Sequence, residues 1–223
     1  MNVTLDSGAS KRLLTGGKYC PEDIVVTVKS GANDRTRENA LMARTLTEYV
    51  NDDITDIATY AFYWYEALTS VSCANAVYAR SSSFYKCTAL TNIDLPSLAY
   101  LSSSSFMYCS ALTEATFPSV LTVDTRSIAY CPLLKKLDLG RATAISHESF
   151  RGNTAMDLLI IRRADRICKL NAVSAFTDTP FATGKGTLVV PRELLETYKS
   201  DEYWSVILGY GNKFIELEGS AYE

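Results

Sequence analysis

His147 is the chain's single histidine and stands on a repeat corner beside Glu148; the chemistry open to such a side chain is that of a base or a ligand. Serines are plentiful, at Ser81–Ser83 and Ser102–Ser105 above all, but a hydroxyl without a partnered imidazole and acid is not a nucleophile. A lone histidine of this kind reads as polar surface. The run Asn51-Asp52-Asp53-Ile54-Thr55-Asp56 is acidic yet lacks the spaced ligands and the glycine of a calcium loop. Gly184-Lys185-Gly186 is too short to cradle a phosphate, and the cysteines show no CxxC or Cys/His spacing for zinc. The expectation is a chain with no catalytic residues, no metal and no cofactor.

Recognition chemistry has better candidates. Asn92 and Asp94, Glu114 and Thr116, then Lys136 and Asp138 are polar pairs, two residues apart within a pair and 22 residues apart between pairs. Ser70 and Ser72 precede them, and Leu158 and Ile160 break the polar pattern, as expected if a C-terminal cap covers that end. Tyr60, Phe62, Tyr63, Trp64 and Tyr65 form the densest aromatic run. Aromatic side chains bury much area at little entropic cost, so Tyr60, Tyr63 and Trp64 are a second candidate surface. The plainer account is that they pack against a preceding helix around Met42–Val50.

These residues need a scaffold that repeats every 22 positions, and the apolar residues supply it. Phe62, Phe84, Phe106, Ile128 and Phe150 form one column at that spacing, and Leu68, Leu90, Leu112, Leu134 and Met156 form another. Val71, Ile93, Ala115, Leu137 and Leu159 keep step, as do Cys73, Leu95, Phe117, Leu139 and Ile161, and Ala79, Leu101, Val123, Ile145 and Ile167. A fixed period of this length specifies a solenoid, in which each unit buries its apolar side only against its neighbours. Leu90–Leu95 alternates with period two, as a half-buried strand does. Pro96-Ser97, Pro118-Ser119 and Gly140-Arg141 then turn the chain away from the sheet.

Of six cysteines, Cys87, Cys109 and Cys131 share one column with Tyr65 and Asn153. Stacked strands place equivalent side chains about 4.8 Å apart and parallel. A disulfide needs Cβ atoms nearer ~3.8 Å with converging vectors. The column therefore predicts a buried ladder of free thiols.

The chain divides into four parts. Residues 1–30 read as a small β element or hairpin, with strands at Val3–Leu5 and Ile24–Val28. Residues 31–53 read as a linker followed by a capping helix, since Met42, Leu46, Tyr49 and Val50 fall at helical spacing. Residues 54–170 carry the repeats. Residues 171–223 form an irregular last repeat and a C-terminal cap, with Phe176 the next core aromatic, a strand at Leu188–Val190, a helix after Pro191, a second helix capped by Ser200 or Asp201, and a closing strand at Phe214–Leu217. The fold class is an α/β repeat solenoid of parallel strands with helical caps and a short N-terminal β element.

The formal charge is −3 and the pI about 5.3, which gives no basic footprint for nucleic acid. The densest basic group, Arg162, Arg163, Arg166 and Lys169, reads as a solvated face. No stretch reaches the ~18–20 apolar residues of a membrane span. The N-terminus has no basic start and apolar core of a signal peptide, so the expected setting is cytoplasmic or virion-associated, with the cell surface as the alternative.

The unit Ser83-Phe84-Tyr85-Lys86-Cys87-Thr88-Ala89-Leu90-Thr91-Asn92-Ile93-Asp94-Leu95-Pro96-Ser97-Leu98 closely resembles leucine-rich repeats of the BspA and Treponema pallidum type. The segment Val190–Ile207 is similar to the one that closes many such arrays. This resemblance implies a curved array of parallel strands that binds proteins or surfaces, often as a bacterial adhesin, with no active site. Gly17–Thr27 is similar to short pieces of phage tail and prophage proteins. The functional expectation is a noncatalytic binding or structural module for a protein or glycan surface, associated with a phage or prophage particle. The alternative is a bacterial adhesin exported by an unrecognised route. Uncovered array ends would also allow self-association.

Overall fold

A computed structural model of the chain describes residues 46–217 together with two short strands near the N-terminus. Each 22-residue coil has three sides. The first carries strands β3 (Glu48–Val50), β5 (Ser70–Ser72), β7 (Asn92–Asp94), β9 (Glu114–Phe117), β11 (Lys136–Leu139) and β13 (Leu158–Ile161). The second carries two-residue strands β4 (Asp56–Ile57), β6 (Tyr78–Ala79), β8 (Tyr100–Leu101), β10 (Thr122–Val123), β12 (Ala144–Ile145) and β14 (Lys169–Leu170), joined in one parallel sheet. The third side is a corner that turns the column led by Phe62 into the core.

The register explains why the columns are uniform. Leu137 pairs with Ala115 on one side and Leu159 on the other, so like residues stack and share one continuous core. Phe62, Phe84 and Phe106 stack face to face, with centroids 5.1 and 4.7 Å apart. Burying each such ring or leucine contributes roughly 1.5–3 kcal/mol, none of which an isolated coil could obtain.

The corner depends on backbone geometry that the sequence does not advertise. Tyr60, Ser82, Ser104, Arg126 and Glu148 all have φ between 53° and 60°. Four residues on, Trp64, Lys86, Tyr108, Tyr130 and Gly152 have φ between 56° and 75°. Left-handed conformations cost a non-glycine residue about 1–2 kcal/mol. Their regular recurrence shows that they belong to the coil itself. What offsets the cost is a third ladder: the amides of Phe84, Phe106 and Tyr130 donate to Ser105, Ser127 and Arg151 of the next coil at 2.7 Å.

Several sequence expectations are corrected. Glu48–Val50 is not helical but a strand paired with Ser70–Ser72, so the array begins before residue 54. Leu46, Tyr49 and Asn51 occupy the columns of Leu68, Val71 and Cys73; the spacing of three between Leu46 and Tyr49 serves a helix or this coil equally. The expected helix before Leu46 lies outside the described residues. So does most of the N-terminal appendage, whose described strands β1 (Asn2–Val3) and β2 (Val25–Val26) pair in parallel and are thus not the two arms of a hairpin. At the other end Ile145 pairs with Leu170, not Ile167, because the turn after Ile161 is longer than its predecessors.

The C-terminal expectations fare better. Strands β15 (Thr187–Val190) and β16 (Lys213–Glu216) extend the first side, and helices α1 (Leu195–Ser200) and α2 (Trp204–Gly209) lie between them. Asp201 caps α2, accepting from the amides of Tyr203 and Trp204 at 3.1 Å. The indole N–H of Trp204 donates to the Cys168 carbonyl, and the Tyr198 hydroxyl accepts from the Cys168 amide, both at 2.8 Å. Buried Asn212 ties the closing loops together through Gly186, Phe181 and Ile207.

Gly140 stands where the earlier coils have proline because its backbone meets that of Pro118. A Cβ there would lie 2.2 Å from the Pro118 carbonyl oxygen. Gly140→Ala is expected to cost about 2–3 kcal/mol, read as a lowered urea midpoint. The buried serine column supplies a second test. The Ser149 hydroxyl donates to the Ser146 carbonyl at 2.7 Å, whereas the hydroxyls of Ser83, Ser105 and Ser127 have no partner. Ser149→Ala should lose about 1 kcal/mol, and Ser105→Ala should be neutral or stabilising in the same assay.

Candidate functional site

The polar face predicted on the first side is present, with one exception. Asn92, Asp94, Glu114 and Thr116 are exposed, and Lys136 is half-buried. The Asp94 carboxylate accepts from the Ser72 hydroxyl at 2.9 Å, and the Asn92 amide donates to Ser70. Asp138 is only 3% exposed, because the guanidinium of Arg162 folds over it with bonds of 2.8 and 3.0 Å. It is a structural ion pair and leaves the list of binding candidates. Next to it in register, Ile160 and Val189 are fully covered although they point away from the main core.

The aromatic surface is larger than the sequence suggested. Tyr60 and Trp64 are 47% and 45% exposed, and Tyr49 packs on the first coil, its ring 4.7 Å from Phe62. Tyr60 meets Tyr63 edge-on at 5.3 Å, and Tyr63 stacks on Tyr85 at 4.9 Å. Tyr85 then meets Tyr108 at 5.4 Å, and Tyr108 stacks on Tyr130 at 4.9 Å. The result is an unbroken edge of rings across four coils, ending where Gly152 admits the Tyr130 ring. The Lys86 ammonium lies 4.0 Å over Trp64 and within 6.0 Å of Tyr85 and Tyr108. Partial burial, then the neighbouring Tyr108 and Tyr63, raise the Tyr85 phenol above its ordinary pKa. Tyr85, Lys86, Tyr108 and Tyr130 were missed; their signal was the 22-residue spacing of Tyr63 to Tyr85 and of Tyr108 to Tyr130.

Other candidate groups are absorbed by structure. His147 is exposed on a corner, while Arg126 and Arg151 bind Glu148 and hold its carboxyl below the usual range. In the basic group, Arg163 and Arg166 pair with Asp165. All five described cysteines are free and buried. Cys87, Cys109 and Cys131 donate to the carbonyls of Phe62, Phe84 and Phe106 at 3.1–3.3 Å. Asn153 continues the ladder with a 2.7 Å bond to Ile128 and accepts from the Cys131 amide at 2.8 Å. No helix of the described residues is long and apolar enough to cross a membrane.

The repeat matches a known family. Residues 37–157 match the BspA type leucine-rich repeat region in six copies. The chain belongs to the BspA-type leucine-rich repeat family. It is also similar to a leucine-rich repeat protein from Bacteroides ovatus, with 19% identity, a TM-score of 0.42, and 79% of this chain covered. The match spans 38% of that protein's length. Among curated proteins no sequence matches. In this BspA-type chain the thiol ladder makes a testable demand. Burial pushes the Cys73 and Cys131 thiols up to about 12 and raises those of Cys87, Cys109 and Cys168 as well. Folding favours the protonated thiol, so this contribution is complete below pH ~9 and, for Cys73 and Cys131, is progressively lost as pH rises from ~9 toward ~12. Unfolding free energies measured across that range should decline, less steeply in Cys131→Ala, and native alkylation at pH 8 should leave the five thiols unlabelled.

Proposed function

We propose that this BspA-type array is a noncatalytic recognition module that engages a protein surface along its aromatic edge. The observation that carries the reading is the continuous run of rings from Tyr60 to Tyr130, with Tyr60 and Trp64 about half exposed at one end. Exposed aromatic clusters of this kind mark interfaces. The ring orientation favours a protein over a glycan. Sugars pack on free ring faces, and here one face of each ring in the Tyr63–Tyr85 and Tyr108–Tyr130 pairs is taken by its stacking partner, while Lys86 lies over one face of Trp64. Ring edges and phenol hydroxyls dock against peptide backbone and apolar side chains.

Such an edge would suit an adhesin on a bacterial surface and equally a recognition part of a phage particle. The likeness of residues 17–27 to phage tail sequences supports the second setting. Apart from Val25–Val26, those residues lie outside the described part.

The test compares wild type with Tyr60→Ser/Trp64→Ser for binding to whole gut-bacterial cells, before and after protease treatment of the cells, and to a glycan array. The reading expects wild type to bind cells, proteolysis to abolish this, and the double variant to lose at least tenfold while keeping its circular dichroism. Binding that survives both proteolysis and the two substitutions, or that appears on glycans alone, would overturn it.

A further inference from the structure

The parallel sheet on the first side is not continuous. β3, β5 and β7 form one sheet and β9, β11, β13, β15 and β16 another, with no pairing between β7 and β9. The coils that carry them remain joined elsewhere. The Phe84 amide donates to Ser105 at 2.7 Å, Leu121 to Ala99 at 2.8 Å, and β8 pairs with β10. The solenoid is therefore split on one side only.

The regular ladders identify what the split leaves vacant. Elsewhere the Cys73 amide donates to the Asp94 carbonyl and the Thr91 amide to the Thr69 carbonyl, each at 3.0 Å. One coil on, the corresponding groups are the Leu95 amide with the Thr116 carbonyl and the Thr113 amide with the Thr91 carbonyl, and no backbone bond joins them. A core-column side chain is uncovered as well. Ile93 is half-buried, whereas Val71, Leu137 and Leu159 in its column are wholly covered. The split falls where the column order changes, with small Ala115 following Ile93 and bulky Phe117 following Leu95.

We propose that the split between β7 and β9 is a docking slot for an extended peptide segment of a partner protein, which enters as a strand bonded to both edges. Inserted strands of this kind take affinity from main-chain bonds and specificity from alternate side chains. The register sets the chemistry of those side chains. One outward position lies between Asn92 and Glu114, and the next lies between Asp94 and Thr116. The inward position between them faces Ile93 and Ala115. Both Asp94 and Glu114 are exposed, and neither forms an ion pair among the described residues. The segment that fits has a basic residue at each outward position and an apolar, β-branched residue between them. This slot does not involve the aromatic edge, so either site can fail its test without the other.

The probe is a short fluorescein-labelled peptide with the central order lysine-valine-lysine, followed by fluorescence anisotropy with the full chain. Controls are the glutamate-valine-glutamate peptide and the basic peptide N-methylated at alternate amides. Wild type should bind the basic peptide saturably and the acidic one at least tenfold more weakly. N-methylation should abolish binding, because it removes main-chain donors at unchanged charge. The Asp94→Lys/Glu114→Lys variant, changed only at exposed positions, should invert the preference. Hydrogen exchange on the bound protein should show new protection at the Leu95 and Thr113 amides. No saturable binding of the basic peptide, binding unaffected by N-methylation, or a preference unchanged by the charge reversal would each overturn the proposal.

Discussion

The structure depends on one constraint: no coil of this chain can cover its own apolar interior or satisfy its own backbone. Each takes both from its neighbours, at a spacing set by peptide hydrogen bonds. Every other feature follows from keeping successive coils in the same conformation. Like residues stack because the register is zero between coils, which is why rings meet rings and the Cys87–Cys109–Cys131 column hands over to Asn153 without changing its bonding role. The two ends are where the constraint cannot be met, and at the C-terminal end Trp204, Tyr198 and Asn212 take over the contacts of a missing coil.

The same constraint accounts for the left-handed corners. A coil that must return in 22 residues with a large aromatic pointing inward needs two sharp reversals, and these fall on Tyr, Ser, Lys and Arg as well as on glycine. Each reversal aims an amide at the next coil, so the local strain is the geometric condition of the third ladder. It also throws the residue beside the core ring outward. The aromatic edge from Tyr60 to Tyr130 is thus a by-product of the corner that the sequence has filled with rings, and the solenoid period aligns them.

The split between β7 and β9 shows what happens when one column departs from uniformity. The second side and the corner keep their ladders while the first side opens, and at the opening Ile93 is left half-buried. A repeat array tolerates this because its contacts are local: a departure in one coil does not propagate to the register of β11 with β13.

The sequence by itself determined the architecture. Columns such as Leu68–Met156 and Phe62–Phe150 specify a stacked coil, and the parallel thiol vectors of Cys87, Cys109 and Cys131 disfavour disulfides among them. Local patterns were weaker where they fit two periods. Leu46, Tyr49 and Val50 match a helix, and only their neighbours' register shows that the first two are core positions of a coil. Only the tertiary structure decided which outward residues remain available. It withdrew Asp138, whose partner Arg162 sits 24 positions on, and it added Tyr85, Tyr108 and Tyr130 to the aromatic edge. The physical reason is that the period fixes which residues lie side by side. Whether a side chain then pairs, stacks or stays open depends on distances between coils, which the one-dimensional pattern does not contain.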